Sequence, residues 1–553
     1  MTDMRRTILW LVFTMSLVLL WDAWNKHTGR PTMFSPAPAV SGAQAPGAAP
    51  QAQLPAPATT GGAAVPTPPP ATVAAEKVAI TTDVVQATID AKGADLIRLE
   101  LLKHADEHDP KRPVVLMQRD GQRFYVAQSG LINRVDAGPA FPNHTTLMTP
   151  MPGPRTLEPG QDSLQVRFES PEIGGLKYAK TYVFKRGSYA VEVKHEVTNT
   201  GEQPATPQLY LQIERDGYAE SGNYMMGTST FTGPAIYSET SKFQKIDFGD
   251  LDKGGVAVPP AGTQGWVAMV QHYFVSAWLK TDSAQREFRV TKNPQTGRYT
   301  VAMVLPMEQL APGQTRAVDT TLYSGPQEEK RLEALAPGLE LVKDYGMFTI
   351  ISKPLFWLLD KLHGFIGNWG WAIVALVVLL KAAFYGLNAS AYRSMAKMKA
   401  VGPKLQELRE RHKDNPQQMQ QEMMRIYREE KVNPLGGCLP ILIQMPVFIA
   451  LYWVLLSSVE MRNAPWVGWI TDLSAKDPYF ILPVVMTLTT LFQTWLNPTP
   501  PDPMQARMMW IMPLVFSVMF FFFPAGLVLY WITNNILSIA QQWYINRKLG
   551  LNK

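Results

Sequence analysis

The sequence predicts an α-helical polytopic membrane protein with six transmembrane helices, joined to a large all-β domain. Three observations support this fold class. An apolar run lies near the N-terminus, period-two alternation fills the middle of the chain, and five apolar runs of near-spanning length occupy the last third. The overall composition, 46% hydrophobic over 553 residues, hides this division because the apolar residues are unevenly distributed.

The first 24 residues are predicted to form a transmembrane anchor. Arg5 and Arg6 precede an apolar run from Ile8 to Trp21, which fits either a cleaved signal peptide or an uncleaved anchor. No small-x-small cleavage site follows the run closely, and the bulky Trp21 and Trp24 suit a membrane interface. These features favour the anchor, with the N-terminus in the cytoplasm.

Residues 25–75 are predicted to form an extended linker. From Pro36 to Ala75, 28 of 40 residues are Pro, Ala or Gly. A chain of this composition cannot bury a hydrophobic core, so it connects the anchor to the next folded region.

Residues 76–342 are predicted to fold as a β-sandwich. Segments such as KTYVFKRGSYAVEVKHEVTN (180–199) alternate with period two around turn residues, which is typical of antiparallel hairpins. The segment 328–342 is expected to close the domain as a helix. Cys438 is the only cysteine of the chain, so an intramolecular disulfide is impossible. The simplest interpretation of Cys438 is a small apolar residue at the start of a helix.

Five apolar runs in the last third are predicted to cross the membrane. Each is near the ~20 residues that span a bilayer, although the fourth is short and contains Pro513. An aromatic, amphipathic segment at 343–366 precedes them, and its charged residues favour an interfacial helix. The five runs are Trp369–Leu387, Cys438–Val459, Tyr479–Leu496, Met508–Phe523 and Leu527–Ile545.

The distribution of basic residues predicts the orientation. The segment 391–437 holds ten Lys and Arg against six Asp and Glu, whereas Arg462 and Lys476 are the only basic residues of the 460–478 loop. The tail at 548–553 is also basic. The positive-inside rule therefore places both chain ends in the cytoplasm and the β-domain on the opposite side.

Lys381 is the only Lys, Arg, Asp or Glu within the five late runs, where a charge costs about 2.5–3.5 kcal/mol. One interpretation is snorkelling, because Leu387 at the end of the run is only ~9 Å away along a helix axis. The other is a wet cavity open to the cytoplasm, which needs polar residues on neighbouring helices. Such residues exist: Gln444, Tyr452, Thr487, Thr490, Gln493, Tyr530, Thr533, Asn534, Asn535, Ser538 and Gln541.

The clustering of these polar residues favours a hydrated groove over ordinary hydrogen bonding between helices. A positive groove suits an anionic guest, such as an acidic residue of a passing polypeptide. No carboxylate lies within the spans and no repeat relates their two halves, which makes a transporter the weaker alternative.

Residues 391–432 are predicted to form an antiparallel helical hairpin with a basic exterior, because Asn415-Pro416 interrupts two amphipathic patterns. One interpretation is a solvated connector. The other is a docking arm for a ribosome, a targeting factor or a nascent chain. The candidate docking residues are Arg393, Lys397, Lys399, Arg409, Arg411, Arg425 and Arg428.

Three segments carry a resemblance to the YidC family of membrane protein insertases. They are NPLGGCLPILIQMPVFIALYWVL (433–455), DPMQARMMWIMPLVFSVMFFFFPAGLVLYWITNNIL (502–537) and YRSMAKMK (392–399). The resemblance is close over about 345–547, and the anchor, linker and β-domain resemble the Gram-negative form. It implies a five-helix insertase core at 367–547 with a hydrophilic groove, a periplasmic supersandwich domain, and a place in the bacterial inner membrane.

The resemblance also implies roles for particular residues. Lys381 falls at the basic position of the groove, where family members usually have arginine, and Gln444 and Trp531 fall at positions that line the groove or contact clients. The full set expected to bind clients is Lys381, Gln444, Thr490, Gln493, Tyr530, Trp531, Asn534 and Asn535.

The implied function is that of an insertase and chaperone for nascent and newly made membrane proteins. The implied partners are the Sec translocon, the ribosome and the signal recognition particle pathway, and the lipid bilayer. Catalysis, cofactors, metals and direct DNA binding are not expected. A membrane-tethered carbohydrate-binding protein acting through the β-domain is a further alternative, although no catalytic carboxylate pair is evident.

Overall fold

The computed structural model describes residues 75–106, 109–134, 138–218, 230–412, 415–430, 439–497 and 503–548. The predicted anchor, nearly all of the predicted linker, Cys438 and most of the C-terminal tail lie outside these residues. Within them, the chain forms a β-domain followed by a set of helices.

The β-domain is a sandwich of two sheets whose neighbouring strands are antiparallel. Alternating apolar and polar residues put one face of most strands into the core between the sheets. In chain order the strands are β1 Lys77–Thr81, β2 Val85–Asp90, β3 Asp95–Ala105, β4 Pro113–Arg119, β5 Phe124–Asn133, β6 Thr149–Pro150, β7 Ser163–Glu169, β8 Leu176–Lys185, β9 Ala190–Asn199, β10 Pro207–Arg215, β11 Gly233–Ser238, β12 Lys242–Lys245, β13 Gly265–Gln271, β14 Phe274–Leu279, β15 Glu287–Lys292, β16 Tyr299–Pro306 and β17 Thr315–Pro326.

The strand order is β1-β2-β3-β4-β5-β10-β16-β15 in one sheet and β12-β11-β13-β14-β17-β9-β8-β7-β6 in the other. The predicted hairpin at 180–199 is confirmed, because β8 and β9 pair with Lys180 opposite His195. Large side chains such as Trp266, Trp278 and Phe168 are buried in one continuous core. That core is sufficient to hold the domain together without a disulfide.

The prediction of one closing helix at 328–342 is wrong. The structure has a short helix, α2 Glu329–Leu335, followed by a separate 3₁₀ turn at Leu339–Val342. The break falls at Pro337-Gly338, where Gly338 has a φ of +74° that favours glycine. Another short helix, α1 Phe248–Lys253, precedes β13.

Among the residues that the structure describes, eight longer helices follow the β-domain. Asn368 and Asn415 cap two of them by accepting hydrogen bonds from the backbone N–H groups of Trp371 and Gln418. The helices are α3 Thr349–Ile366, α4 Trp369–Ala383, α5 Tyr385–Arg411, α6 Pro416–Glu429, α7 Leu439–Ser457, α8 Ile481–Leu496, α9 Pro503–Phe520 and α10 Ala525–Lys548.

Helix α3 covers most of the predicted interfacial segment. Leu355, Phe356 and Leu359 are buried against the other helices, whereas Trp357 and Phe365 are exposed. This two-sided distribution agrees with an amphipathic helix. Its position in a membrane interface stays a prediction.

The predicted run Trp369–Leu387 is divided between two helices. The chain breaks at Phe384, and the segments Trp369–Ala383 and Tyr385–Ser394 meet at a bend of 65°. This bent pair is long and apolar enough to cross a bilayer, whereas none of the single helices among the described residues meets both requirements. The number of spans therefore stays a prediction.

Helix α10 is the centre of the helical region. It packs against α4, α5 and α8, while α9 packs mainly against α8. The shared core includes the buried residues Ile373, Leu376, Ala525 and Val528. This arrangement brings the polar face of α10 toward polar residues on its neighbours.

Candidate functional site

A cavity of about 360 Å³ lies between α5, α7, α8 and α10. Seven of the eight predicted client-binding residues line it, which brings side chains far apart in sequence to one place. The lining residues are Asn388, Ala391, Tyr392, Gln444, Met445, Phe448, Thr490, Gln493, Thr494, Asn497, Tyr530, Trp531, Asn534, Asn535 and Ser538. Polar and aromatic side chains thus share the lining of this cavity.

Lys381 is the predicted residue that does not line this cavity. It lines a neighbouring pocket of about 20 Å³, room for roughly one water molecule, and this pocket shares Asn388 and Gln444 with the larger cavity. The half-buried ammonium group donates a hydrogen bond to Ser538 Oγ at 2.7 Å. Since Ser538 lines the larger cavity, Lys381 is one hydroxyl group away from it.

Two hydrogen bonds join the helices around the cavity. Gln444 Nε2 donates to Asn534 Oδ1 at 2.8 Å, which links α7 to α10. Asn535 Nδ2 donates to Thr490 Oγ1 at 2.9 Å, which links α8 to α10. These amides therefore both line the cavity and bond helices together, so the two interpretations of the polar cluster describe the same residues.

An aromatic group forms the wall between α7 and α10. Trp531 lies edge-on to Phe448, with ring centroids 4.5 Å apart, and 5.4 Å from Phe520. Trp531 is half-buried, whereas Tyr530 is almost completely buried. The indole thus presents part of its apolar surface to the cavity beside the amides.

Four polar residues from the sequence pattern lie away from the cavity lining. The hydroxyls of Thr487 and Thr533 donate to carbonyls of their own helices at 2.8 Å. Gln541 donates to Tyr385 O at 3.3 Å, at the break between α4 and α5. Tyr452 packs 5.9 Å from Phe523. Helical periodicity alone does not separate these residues from those that face the cavity.

Sequence reasoning missed the contribution of α5. Asn388 and Tyr392 line the cavity because α5 begins at Tyr385, directly after the bend. The available signal was Asn388, a polar residue immediately after an apolar run. Thr494 and Asn497 were missed in the same way at the end of α8.

Helices α5 and α6 pack through a small apolar cluster. Val401 and Leu405 of α5 are buried against Met423, Ile426 and Tyr427 of α6.

The predicted docking residues on this pair differ in how they are engaged. Arg425 forms ion pairs with Glu422 and Glu429 at 3.0 and 3.3 Å, and Arg411 with Glu407 at 3.2 Å. Arg393, Lys397 and Arg428 are exposed, and no carboxylate of the described residues pairs with them. Lys399 and Arg409 lie in α5 with side chains outside the described set.

Comparison with known proteins gives full-length matches. The family model for the YidC periplasmic domain matches residues 77–358, and the model for the 60Kd inner membrane protein matches residues 361–552. The membrane protein insertase YidC of Cupriavidus necator is 56% identical over 562 residues, covering 100% of this chain and 99% of that protein. The protein of the same name from Cupriavidus metallidurans is 56% identical over 563 residues, with the same coverage of both.

A solved structure described as an active YidC insertase crystal structure with the first transmembrane domain resolved is 17% identical, with a TM-score of 0.41. The match covers 85% of this chain and 92% of that one. Taken together, the family models and the relatives place this chain among inner membrane proteins that carry a periplasmic domain. The chain therefore belongs to the YidC family of membrane protein insertases, which are insertion factors and chaperones rather than enzymes.

Proposed function

We propose that this chain inserts newly made membrane proteins by holding the polar tail of a client in the cavity between α5, α7, α8 and α10. The observation that carries the proposal is a polar-lined space of about 360 Å³ among apolar helices. A tail held there crosses only part of the hydrocarbon layer without polar partners. The energetic cost of translocation falls accordingly, since unsatisfied polar groups in hydrocarbon cost several kcal/mol each.

Lys381 attracts the acidic groups of such a tail. Its ammonium group donates to the neutral hydroxyl of Ser538, and a client carboxylate is a stronger acceptor than a hydroxyl. The ammonium can donate three hydrogen bonds, so it can bind a carboxylate while it keeps Ser538. A lysine lacks the planar fork of arginine, so the attraction is electrostatic rather than a bidentate clamp.

The apolar part of the client then moves along α7 and α10 into lipid. Met445 of α7 and Ile536 of α10 are exposed apolar side chains on these helices. Burial of the client's apolar surface drives the step, and the membrane potential adds about 2.3 kcal/mol per charge per 100 mV for charged tails.

The proposed topology has six spans, with both termini in the cytoplasm. Its parts are an anchor at 1–24, a periplasmic linker at 25–75, a periplasmic β-sandwich at 76–342, an interfacial helix at 343–366, the five-helix core at 367–547 with a cytoplasmic hairpin at 391–432, and a basic tail at 548–553. In this orientation the cavity opens toward the cytoplasm, where ribosomes and the signal recognition particle pathway deliver clients. The Sec translocon is the proposed partner within the membrane.

Photocrosslinking tests the path of the client. A photoreactive residue placed at 444 or 531 is expected to crosslink to ribosome-bound membrane proteins, because both positions line the cavity. The same probe at Val467, an exposed residue of the 460–478 loop, is the control and is expected to give no client crosslinks. Equal crosslinking from all three positions would contradict the proposed path.

A charge reversal tests Lys381. We expect Lys381→Glu to impair insertion of clients with acidic tails more than Lys381→Arg does, because only the reversal repels the tail. Clients with neutral tails serve as the control in the same proteoliposome assay. Equal activity of the two variants with acidic-tailed clients would show that the ammonium group has no such role.

A further inference from the structure

The end of α7 farthest from Gln444 is held by residues that connect the β-domain to α3. We call residues 336–348 the junction segment. Its Lys343 side chain is completely buried, and Lys343 Nζ lies 3.0 Å from both carboxylate oxygens of Glu460. Glu460 belongs to the turn Val459–Met461, directly after α7. The ion pair thus joins the β-domain side of the molecule to the end of one helix of the core.

Aromatic rings lie beside this ion pair. Lys343 Nζ lies 3.8 Å from the ring centroid of Phe356, a buried residue of α3. Burial raises the pKa of Glu460, while Lys343 opposes that rise. A buried pair of this kind is a weak source of net stability but tolerates few alternative geometries, because each charge must keep its partner.

Three further contacts reach the same part of α7. His272, in the turn before β14, hydrogen-bonds through Nε2 with Leu456 O at 2.9 Å. Ser352 of α3 donates to Ala450 O at 3.2 Å. Gly346 of the junction segment, with a φ of +67°, lies so close to Trp453 that a Cβ atom would come within 2.6 Å of the indole. These contacts come from three different segments and hold about two turns of α7.

Helix α7 has neighbours on two sides. Its backbone lies close to α3 and to the 3₁₀ turn Gly346–Phe348, whereas it meets α10 mainly through side chains. Yet α7 supplies Gln444 and Phe448 to the cavity, and these residues face Asn534 and Trp531 of α10. The width of the cavity between α7 and α10 therefore depends on contacts at the opposite end of α7.

We propose that the Lys343–Glu460 ion pair positions α7 for insertion, so that Lys343 and Glu460 are positioning residues for a cavity they do not touch. This inference rests on the proposed function of the cavity. Because α7 is a helix, a change in its tilt at the Glu460 end displaces Gln444, which lies ~20 Å from Ser457 along the helix axis at 1.5 Å per residue. Loss of the ion pair then changes the contact between Gln444 and Asn534 without altering either residue.

Disulfide formation between α7 and α10 measures this displacement. Cysteines replace Gln444 and Asn534 in a full-length chain in which Cys438 is alanine, and the oxidation rate is followed in proteoliposomes. We expect Lys343→Met or Glu460→Gln to slow disulfide formation and, in chains without the added cysteines, to lower client insertion, each on the order of tenfold. The exchange Lys343→Glu with Glu460→Lys restores the pair and is expected to recover most of both.

The pair Lys330–Asp360 provides a matched control. It also joins the β-domain side to α3, at 2.6 Å, but the Lys330 side chain is 75% exposed. Because exposed pairs contribute little, Lys330→Met is expected to leave both rates near those of the unmodified protein. Should Lys343→Met not accumulate, Glu460→Gln provides the same comparison, since it keeps the shape of the side chain.

The outcomes separate this inference from the proposed function. The positioning role would be overturned if the Lys343 and Glu460 variants formed the disulfide and inserted clients at the rates of the unmodified protein. It would also be overturned if the exchange variant folded but recovered neither rate. If Lys381→Glu still impairs insertion in that case, the function of the cavity stands. If residues 444 and 531 never crosslink to clients in the unmodified protein, the proposed function fails whatever the disulfide rates are.

Discussion

Two lysines, one in the β-domain and one in the helical core, differ in their burial and in their hydrogen-bond partners. Lys180 of β8 is completely buried, and its ammonium group donates to Gly93 O at 2.5 Å and Ser129 O at 2.8 Å. Lys381 of α4 is half-buried and donates to the Ser538 hydroxyl at 2.7 Å beside a cavity. A buried charge whose partners are fixed by the fold is costly to remove, because its partners are left unpaired. A charge with a neutral, exchangeable partner next to open space is available to a guest.

Other buried charged side chains of the β-domain also have hydrogen-bond partners within the fold. The guanidinium group of Arg286 is completely buried and donates to backbone carbonyls, including Gly265 O at 2.9 Å and Lys280 O at 2.7 Å. Burial raises the pKa of Asp95, which accepts a hydrogen bond from Gln128 at 2.8 Å. Hydrogen bonds within the domain fix these side chains in place.

Removal of Lys180 is the strongest test of the comparison. Lys180→Met leaves two buried carbonyls without their donor and removes the cation with the largest effect on Asp95, so we expect a loss of about 3–5 kcal/mol in the free energy of unfolding. The loss is measured by urea unfolding of the full-length protein, with proteolysis of the β-domain as the readout. Lys185→Met on the same strand is the control, because that lysine is about half exposed and pairs with Glu192 at the surface. A loss of similar size in both variants would contradict the distinction between fixed and exposed charges.

Removal of Lys381 is expected to lower client insertion more than the free energy of unfolding. Lys381→Met leaves a hydroxyl that bonds its own helix through Asn534 O at 2.7 Å, so the free energy of unfolding should change by less than about 1 kcal/mol. Insertion of clients with acidic tails should fall roughly tenfold, the equivalent of ~1.4 kcal/mol for a lost contact with a charged group. Paired unfolding and insertion assays measure both quantities. A large loss of stability with unchanged insertion would make Lys381 a structural residue like Lys180.

The two regions also differ in how much the sequence alone could predict. Period-two alternation in 180–199 was enough to predict the β8–β9 hairpin, because each strand buries one face and the turn between them is local. In the helical region, composition predicted which segments are apolar. It did not predict the bend at Phe384, because the one nearby signal, Gly386, lies within a run that is otherwise apolar up to Leu387 except for Lys381.

The cavity could be predicted only as a set of polar residues. Gln444, Thr490 and Asn534 were expected near Lys381. In the structure all three line the larger cavity, and Gln444 and Asn534 also line the small pocket that contains Lys381. That Asn388 and Tyr392 join them follows from the direction of α5 after the bend, which is a tertiary property. The position of Lys381 behind Ser538, rather than in the main cavity, likewise depends on the packing of α4 against α10.

Protonation of a half-buried histidine in the β-domain provides a smaller test. Burial lowers the pKa of His104 to about 4, with rings of Tyr189 and Phe274 5.9 and 5.6 Å away. Because an unfolded histidine binds a proton below about pH 6.5 and the folded one does not, this residue destabilises the fold progressively as the pH falls from 6.5 toward 4. We expect His104→Gln to reduce the loss of stability between pH 7 and pH 5 by about 1.5 kcal/mol. Unfolding curves at the two pH values measure this, and an unchanged difference would mean that His104 titrates normally.

The smallest expected effect concerns Asn535, where the two kinds of interior meet. This side chain is buried and donates to Thr490 Oγ1 at 2.9 Å, although both residues line the cavity. Hydrogen bonds between membrane helices contribute about 0.6 kcal/mol on average, so Asn535→Ala should lower the free energy of unfolding by roughly that amount.

If Asn535 belongs to the fixed partners of the fold, as Lys180 does, client insertion by Asn535→Ala should stay within about twofold of the unmodified protein. Thr490→Val removes the same hydrogen bond from the other side, and the double variant should add little further loss because the contact is shared. A strong insertion defect in Asn535→Ala with unchanged stability would instead place this amide among the groups that bind the client. A buried amide of the helical core would then bind the client although it also hydrogen-bonds between helices. In that case the distinction between fixed and available polar groups would not coincide with the two regions of the molecule.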